Sequence, residues 1–323
     1  MKNGALLEVV RPAATAPAEP EVTVIVPTTA QLSRRMEIAR CLDSIRASSA
    51  QPVQIIVVVN GQRYDGGVCD WLRAQADVRY AYVELPSAPN AVWEGRRMVD
   101  TPYFSMVDDD DEYLPGATDL KLAVLRAQPQ ADLVVTNAYR RFEGVDALLY
   151  NHLAQVRHDP LAMLFEANWL TNGNALYRTD SVGPGYFADY QPYAEWTWLA
   201  FKLSLDGKQV ATIEQPTFRV HVTGGSLSQS DAYFEFYLSL YQQMLAAGAP
   251  PAIERRIRRH LSGAQHDHSV RALGRGRWRE ALGWHWRSLR QPSGLQYLSY
   301  TRHILRHFLP HFLRLPPRTP RKP

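Results

Sequence analysis

Short apolar runs alternate with helical stripes along the first two thirds of the chain. Val22 to Val26 is a β-branched run closed by Pro27, Thr28 and Thr29, which predicts a buried first strand opening into a loop. Ile38, Cys41, Leu42 and Ile45 then recur at helical spacing over residues 34 to 48. Val53 to Val59 predicts a second strand, ended by the turn signal Asn60-Gly61. A short helix at 68 to 75, a third strand from Val78 to Leu85, a helix around Trp93 to Val99 and an apolar run from Tyr103 follow. Beyond Pro115 the pattern predicts a helix over 117 to 127 and a strand from Asp132 to Asn137. Residues 139 to 170 carry little period apart from a helix near 160 to 167. Glu195 opens a helix running to Leu205 and stopped at Gly207, and short strands are expected at Val210 to Ile213 and Thr217 to His221. From Asp231 onward the pattern is helical, with Phe234, Tyr237, Tyr241, Met244 and Leu245 forming a packing stripe. Strands alternating with helices predict an α/β domain with a mostly parallel sheet and right-handed crossovers. Ligands of such sheets bind beyond the carboxyl ends of the strands, where the loops at Pro27, Asn60 and Asp108 would open together.

The loop after the run from Tyr103 carries five consecutive acids, Asp108 to Glu112, and stops at Pro115. Carboxylates this close repel by roughly 1 kcal/mol per pair at about 4 Å even in water, so a positive charge should sit among them. Alternation along an extended backbone turns Asp108 and Asp110 to one side, the arrangement by which two carboxylates reach one hard divalent cation such as Mg²⁺. A solvated acidic turn is the plain alternative.

Composition places the 323-residue chain among ordinary soluble proteins, with 46% hydrophobic and 21% charged residues. The net charge of +4 conceals a division. From Glu254 to the end there are sixteen Lys or Arg against three acids, which leaves the preceding body with twenty bases and twenty-nine acids. The basic segment implies an anionic partner, membrane lipid or nucleic acid in general terms. Two cysteines, Cys41 and Cys69, argue against a disulfide framework and for a reducing compartment. The apolar patch at Leu6 to Val10 is too short for a signal peptide, and no run of eighteen apolar residues predicts a transmembrane helix. Residues 1 to 21, with an Ala/Pro-rich stretch from Pro12 to Pro20, are expected to form a flexible leader.

Taken in order, these stretches resemble the family 2 glycosyltransferases, which have the Rossmann-like GT-A fold of nucleotide-diphosphosugar transferases. The resemblance covers about residues 22 to 229 and leaves 230 to 323 as a helical, basic extension. Val22 to Thr28 is similar to the family's opening strand and nucleotide loop, and Val57 to Gly61 to its second. Met106 to Pro115 resembles its metal-binding D-x-D segment, and Asn172 to Arg178 with Gly185 to Phe187 its acceptor-side stretch. Glu195 at the head of a helix ending in Leu205-Asp206-Gly207 resembles its general-base motif. Arg219 to His221 with Gly225 to Ser228 resembles its C-terminal phosphate and metal loop. Three positions depart from the pattern: Val59 where an acid is frequent, Glu195-Trp196 where an acidic pair is usual, and Arg96-Arg97 in place of Arg-Asn.

The resemblance implies an inverting transferase that moves a sugar from a nucleotide-diphosphate donor to a glycan or lipid-linked acceptor in surface polysaccharide synthesis. Asp108, Asp110, Asp111 and His221 would hold Mg²⁺ or Mn²⁺, and Glu195, or alternatively Asp189, would be the base. Pro27, Thr28, Asn60, Arg96, Asp109 and Arg219 would bind the nucleotide sugar, and Asn172, Gly173, Asn174 and Trp196 the acceptor. Trp169 and Trp198 would stack on a sugar or belong to the core. In the tail, Leu298, Thr301, Leu305 and Phe308 fall near one face with Arg302, His303 and Arg306 opposite, a pattern suited either to an anionic membrane surface or to packing as a helical subdomain. The expected setting is the cytoplasm, peripheral at the inner face of a membrane, and nucleic acid is the less expected partner. Two other classes compete. A phosphohydrolase would use Asp108 as nucleophile and Asp110 as acid, but it expects its motif on the first strand and Thr or Val where Glu112 stands. A non-catalytic binding module would keep the fold and use only its tail.

Overall fold

The computed structural model describes residues 6–11, 19–191, 193–222 and 231–306, with side chains left undescribed at 231–235. The chain divides into two compact units, Met1–Ser226 and Leu227–Pro323.

The first unit is built on one mixed ten-stranded sheet. Its strands are β1 (Leu6–Val10), β2 (Val22–Thr28), β3 (Gln54–Asn60), β4 (Val78–Val83), β5 (Tyr103–Met106), β6 (Glu112–Tyr113), β7 (Leu133–Phe142), β8 (Val145–Leu148), β9 (Ala175–Arg178) and β10 (Val210–His221). They stand in the order β1-β4-β3-β2-β5-β9-β7-β10-β6, with β8 hanging from β7. β4, β3, β2 and β5 form a parallel run, β9 is inserted antiparallel between β5 and β7, and β10 returns parallel to β7. Every residue of β2 is buried, as a strand covered on both faces requires. The helices α1 (Arg35–Ala47), α2 (Gly66–Arg73), α3 (Ala88–Arg97) and α4 (Ala117–Ala127) connect these strands, and the short α5 (Pro160–Met163) and α6 (Gly185–Ala188) precede α7 (Glu195–Leu205). Ile38, Cys41, Leu42 and Ile45, the stripe read from the sequence, are the buried face of α1.

Three expectations change. Leu6 to Val10, assigned to a flexible leader, is a strand paired antiparallel with β4, and Glu8 is anchored by Nε and Nη2 of Arg73, each at 2.9 Å. A five-residue run with alternating exposure suffices for an edge strand, although it is too short to read alone. The two short strands expected at 210–213 and 217–221 are one strand, β10, whose register against β7 shifts around Pro216 because proline has no N–H for the ladder. The helix expected near 160–167 contracts to a single turn, capped by the Asp159 carboxylate accepting from Ala162 N–H at 2.9 Å.

The second unit is helical: α8 (Asp231–Ala246), α9 (Pro251–Gly274), α10 (Trp278–Leu289) and α11 (Thr301–Leu305), with a 3₁₀ turn at Gly294–Tyr300. Of the expected α8 stripe Met244 is buried and Tyr237, Tyr241 and Leu245 are half-buried, Leu240 is buried beside them, and Phe234 lies outside the described side chains. Ala272, Leu273, Ala281 and Ile304 form a small core against which Trp278 and Tyr300 pack. Trp286, Leu295, Leu298 and Leu305 stay exposed, and Phe308 lies outside the described residues. No described helix is long and apolar enough to cross a membrane.

Candidate active site

The carboxyl ends of β2 and β5 bring Pro27, Thr28 and the acidic loop together. Thr28 at the tip of β2 donates its hydroxyl to Asp109 at 2.5 Å and accepts from Ala30 N–H, so the loops after β2 and β5 are one hydrogen-bonded body. The acidic loop closes as a turn, Asp111 N–H to Asp108 carbonyl at 3.1 Å. The two-residue β6 that follows pairs antiparallel with the end of β10, which sets Arg219 opposite Glu112. Cys41 of α1 lies beneath, its sulfur 3.5 Å from the Asp108 carbonyl oxygen.

The positive charge that the acids require comes partly from the chain itself. Arg34 lies beside Asp109 with both Nε, at 3.1 Å, and Nη2, and reaches Asp110 at 3.3 Å. Arg40 donates to the Asp110 carbonyl oxygen at 2.5 Å. Arg34 was not among the residues read from the sequence, although it follows the nucleotide loop at the head of the helix aimed at the acids. Asp109 is therefore occupied by Thr28 and Arg34.

Asp108 and Asp111 are not balanced this way. Burial, and then the charge of Asp110, raises the Asp108 carboxyl above its ordinary range, against a lowering hydrogen bond from Asn172 Nδ2 at 2.5 Å. Burial and the charge of Asp108 raise the Asp111 carboxyl above its ordinary range, although it accepts from His221 N–H at 3.0 Å. Burial also acts on Glu112, but Arg219 and His221 outweigh it and hold that carboxyl below its ordinary value. Crowded hard oxygen donors short of positive charge, with the buried Asn172 Oδ1 left without a partner, fit a divalent cation. Among the described residues no group of three or more His, Cys, Asp or Glu is arranged to hold a metal alone. The set therefore suits a cation completed by a substrate's phosphates and water, which is how Mg²⁺ is usually held.

Asn172 comes from a loop of fixed shape. Gly173 has φ +93°, and a Cβ there would stand 2.7 Å from the buried Phe218 ring. Asn174 braces the same loop, accepting from Thr171 N–H at 3.0 Å and donating to the Trp169 carbonyl at 2.8 Å. Beneath it Lys121 is fully buried, its amine 3.4 Å from the Gly173 carbonyl and 4.2 Å from the centre of the Tyr113 ring. Burial holds that amine down to about 7.

Across from Asp108, a small cavity of about 60 Å³ is lined by Pro27, Asp108, Asn172, Tyr190, Glu195 and Trp196, together with other apolar residues. Glu195 is the first residue of α7, and its buried Oε2 has no hydrogen-bond partner. Burial pushes its carboxyl above the ordinary range, partly offset by its own backbone N–H. Asp189 is differently placed: it faces the Lys202 ammonium and accepts from Trp198 Nε1 at 3.2 Å. Trp198 is buried and stacked on Phe201, and Trp169 is buried with its ring N–H on the Pro160 carbonyl at 2.9 Å.

Other expected residues are not free to meet a ligand as read. Arg96 is buried in α3 and donates to the carbonyl oxygens of Val182 and Thr179, with its guanidinium 4.3 Å over the Phe104 ring, so it braces the fold instead of facing the cavity. Arg219 is paired with Glu112 and with Asp146 of β8, an acid that sequence reasoning missed because it lies in the stretch without period. The His221 ring sits 3.3 Å from Glu112. Asn60 donates its amide to the Thr28 carbonyl at 2.9 Å, tying the ends of β2 and β3. The stretch Gly225 to Ser228 lies outside the described residues.

Comparison with known proteins agrees with this architecture. Solved structures of Staphylococcus aureus TarS 1–349 share the fold. The complex with UDP-GlcNAc is 15% identical, with a TM-score of 0.58 over 83% of this chain and 81% of that one. The complex with UDP is 13% identical, with a TM-score of 0.53 over 77% and 72%. No curated protein matches the chain significantly. The model of the family described as glycosyl transferase family 2 matches residues 23–185, which takes in both loops at the sheet edge, the acidic turn and the Asn172 loop, and the chain therefore belongs to the family 2 glycosyltransferases, with their GT-A fold.

Proposed function

We propose that this chain is a metal-dependent inverting glycosyltransferase that moves a sugar from a nucleoside-diphosphate sugar to a hydroxyl of a glycan or lipid-linked acceptor in surface polysaccharide synthesis. The observation that carries the reading is the buried, unpartnered Oε2 of Glu195 in one cavity with Asp108, Asn172 and Pro27. A carboxylate raised by burial and lacking a partner is a proton acceptor waiting for a donor, as general-base catalysis demands. Asp189, already facing Lys202, is the weaker candidate.

In this account Glu195 takes the proton from the acceptor hydroxyl as the oxygen attacks the anomeric carbon, and the bond to the nucleoside diphosphate breaks on the opposite face, giving inversion. A bound Mg²⁺ or Mn²⁺ would neutralise the leaving diphosphate. Asp108 and Asp110 would hold it, with Asp111 and His221 as neighbours; Asn172 orients Asp108, and Arg34 pairs with Asp109. Pro27, Thr28 and Asn60 would form the nucleotide floor, and Trp196 with Gly173 the acceptor side. UDP-linked sugars are the first donors to try, because UDP and UDP-GlcNAc occupy the similar TarS structures. The exposed Trp286, Leu295, Leu298 and Leu305, among arginines, support peripheral attachment to an anionic membrane face on the cytoplasmic side.

A thermal-shift screen of nucleotide sugars with Mg²⁺, Mn²⁺ or EDTA tests the reading, since a ligand that binds only the folded state raises its apparent stability. Stabilisation by one nucleotide family, dependent on the metal, is expected. Equal stabilisation in EDTA would remove the metal from the account.

A further inference from the structure

The second unit contains a cavity of about 400 Å³, larger than the one beside Asp108 and formed entirely by α8, α9 and the 3₁₀ turn at Gly294–Tyr300. It falls in the range of small-ligand sites, about 300–1,000 Å³. Its floor is a strip of α9 at Gly263 and Ala264, where small side chains leave room between turns. Arg259 and Arg271 stand at the two ends of this strip, about 18 Å apart at 1.5 Å per residue. Tyr237 and Tyr241 of α8 form one wall, with ring centres 5.8 Å apart, and Tyr297 forms the other. Asp267 opens on the same space, with Gln296 beside it.

These groups sort by chemistry. Arginine presents a planar fork of donors that matches phosphate oxygens. Tyrosine offers an apolar face to the C–H side of a sugar ring and a hydroxyl at its rim. A carboxylate accepts hydrogen bonds and donates none, so Asp267 suits the hydroxyls of a polyol and opposes a bare anion held close to it. Two cations set apart, aromatic walls between them and an acceptor for hydroxyls describe neither a purely anionic nor a purely apolar ligand. We propose that this cavity is a binding site for a phosphate-bearing saccharide, distinct from the cavity beside Asp108, with phosphate held by Arg259 and sugar rings between the α8 tyrosines and Tyr297. The binding stands whether or not the first unit transfers sugar.

Gly263 makes the proposal testable. A Cβ there would lie 3.4 Å from the Tyr297 hydroxyl, an ordinary contact, so a leucine is tolerated by the helix while its branch fills the cavity. Titration calorimetry on the full chain at low salt would use glucose 1-phosphate, glucose and inorganic phosphate, with UDP as the probe of the first unit. The expected result is binding of glucose 1-phosphate, with glucose and inorganic phosphate each weaker by about ten-fold or more, the equivalent of 1.4 kcal/mol. Gly263→Leu should abolish that binding and leave UDP affinity unchanged, and Arg259→Gln, which adds no bulk, should weaken it by about ten-fold. Equal binding of glucose 1-phosphate by wild type, Gly263→Leu and Arg259→Gln would overturn the assignment, as would inorganic phosphate binding as well as the sugar phosphate. Retention on phosphatidylglycerol vesicles that Gly263→Leu abolishes, with no uptake of glucose 1-phosphate, would overturn it in favour of a lipid headgroup.

Discussion

Gly173→Ala isolates the loop that carries Asn172. The native φ of +93° is one that an L side chain rarely adopts, and holding a residue there costs on the order of 1–3 kcal/mol. The new Cβ would also stand 2.7 and 2.9 Å from two carbons of the Phe218 ring. That ring is fully buried on a strand paired on both sides, so it cannot swing into solvent, and overpacking of this kind costs about 1–3 kcal/mol. Together the variant should lose about 2–6 kcal/mol. Its melting transition should then fall by about 4–24 °C, at roughly 2–4 °C per kcal/mol for a unit of this size. Adding Phe218→Leu separates the two causes in a double-mutant cycle: the shorter side chain should recover the packing part and leave the backbone part in place. Because Asn172 is the adjacent residue, nucleotide-sugar turnover should fall at temperatures where the variant is still folded. A Gly173→Ala melt within about 1 °C of wild type would refute the reasoning, since neither the strain nor the overlap could then exist.

Lys121→Met should stabilise the first unit near neutral pH. The buried amine is held near 7 in the folded chain against 10.5 unfolded, so between those values the unfolded state binds the extra proton. Wild-type stability therefore rises with pH across that window, and the methionine's advantage is largest at pH 7 and below. The ceiling is about 5 kcal/mol, less about 1 kcal/mol for the lost contact with Gly173; urea unfolding at pH 6.5 and 9.5 measures it, and no pH dependence of the difference would contradict it. Arg34→Gln leaves Asp109 buried beside Thr28 without its cation, a loss of about 2–3 kcal/mol after allowing for an arginine about one third exposed. The folded-state carboxyl of Asp109 then rises further above its unfolded value, so the native state of the variant holds the extra proton and the deficit should shrink as pH falls. A deficit that grows toward acid would refute this pairing. Asn172→Ala removes the amide held on Asp108 and should raise the Mn²⁺ concentration needed for half-maximal turnover by about ten-fold, a loss near 1.4 kcal/mol, while leaving the unfolding midpoint little changed. An unchanged metal requirement would assign Asn172 elsewhere.

What could be read from the sequence follows from how local each cause is. The run from Val22 to Thr28, the α1 stripe and the bounds of α4 are set by side-chain period and by turn residues, so pattern alone found them. The need for positive charge among Asp108 to Glu112 was equally legible, because like-charge repulsion depends only on proximity. Which charge answers it was not: Arg34 reaches Asp109 across 75 positions, and only the sheet order brings the two together. Arg96 failed for the complementary reason. An arginine just before the strand that leads to the acids suggests phosphate, yet α3 turns it inward to the Val182 and Thr179 carbonyls, and burial holds its guanidinium down to about 10. The difference between Glu195 and Asp189 was invisible in sequence because it rests on Lys202, two turns along α7 from Glu195 and directed at Asp189.

The central claim is that Glu195 removes the acceptor proton in a metal-dependent transfer, and Glu195→Gln tests it most directly. Calorimetry should show nucleotide-sugar affinity within about two-fold of wild type, while turnover with Mn²⁺ falls by about 10²–10⁴, the contribution typical of a general base. In the wild type, kcat/KM should drop on the acid side with an apparent pKa above that of an ordinary glutamate, because the base works ionised and burial raises its carboxyl. Full turnover by Glu195→Gln with that acid limb intact would contradict the account and move the base elsewhere.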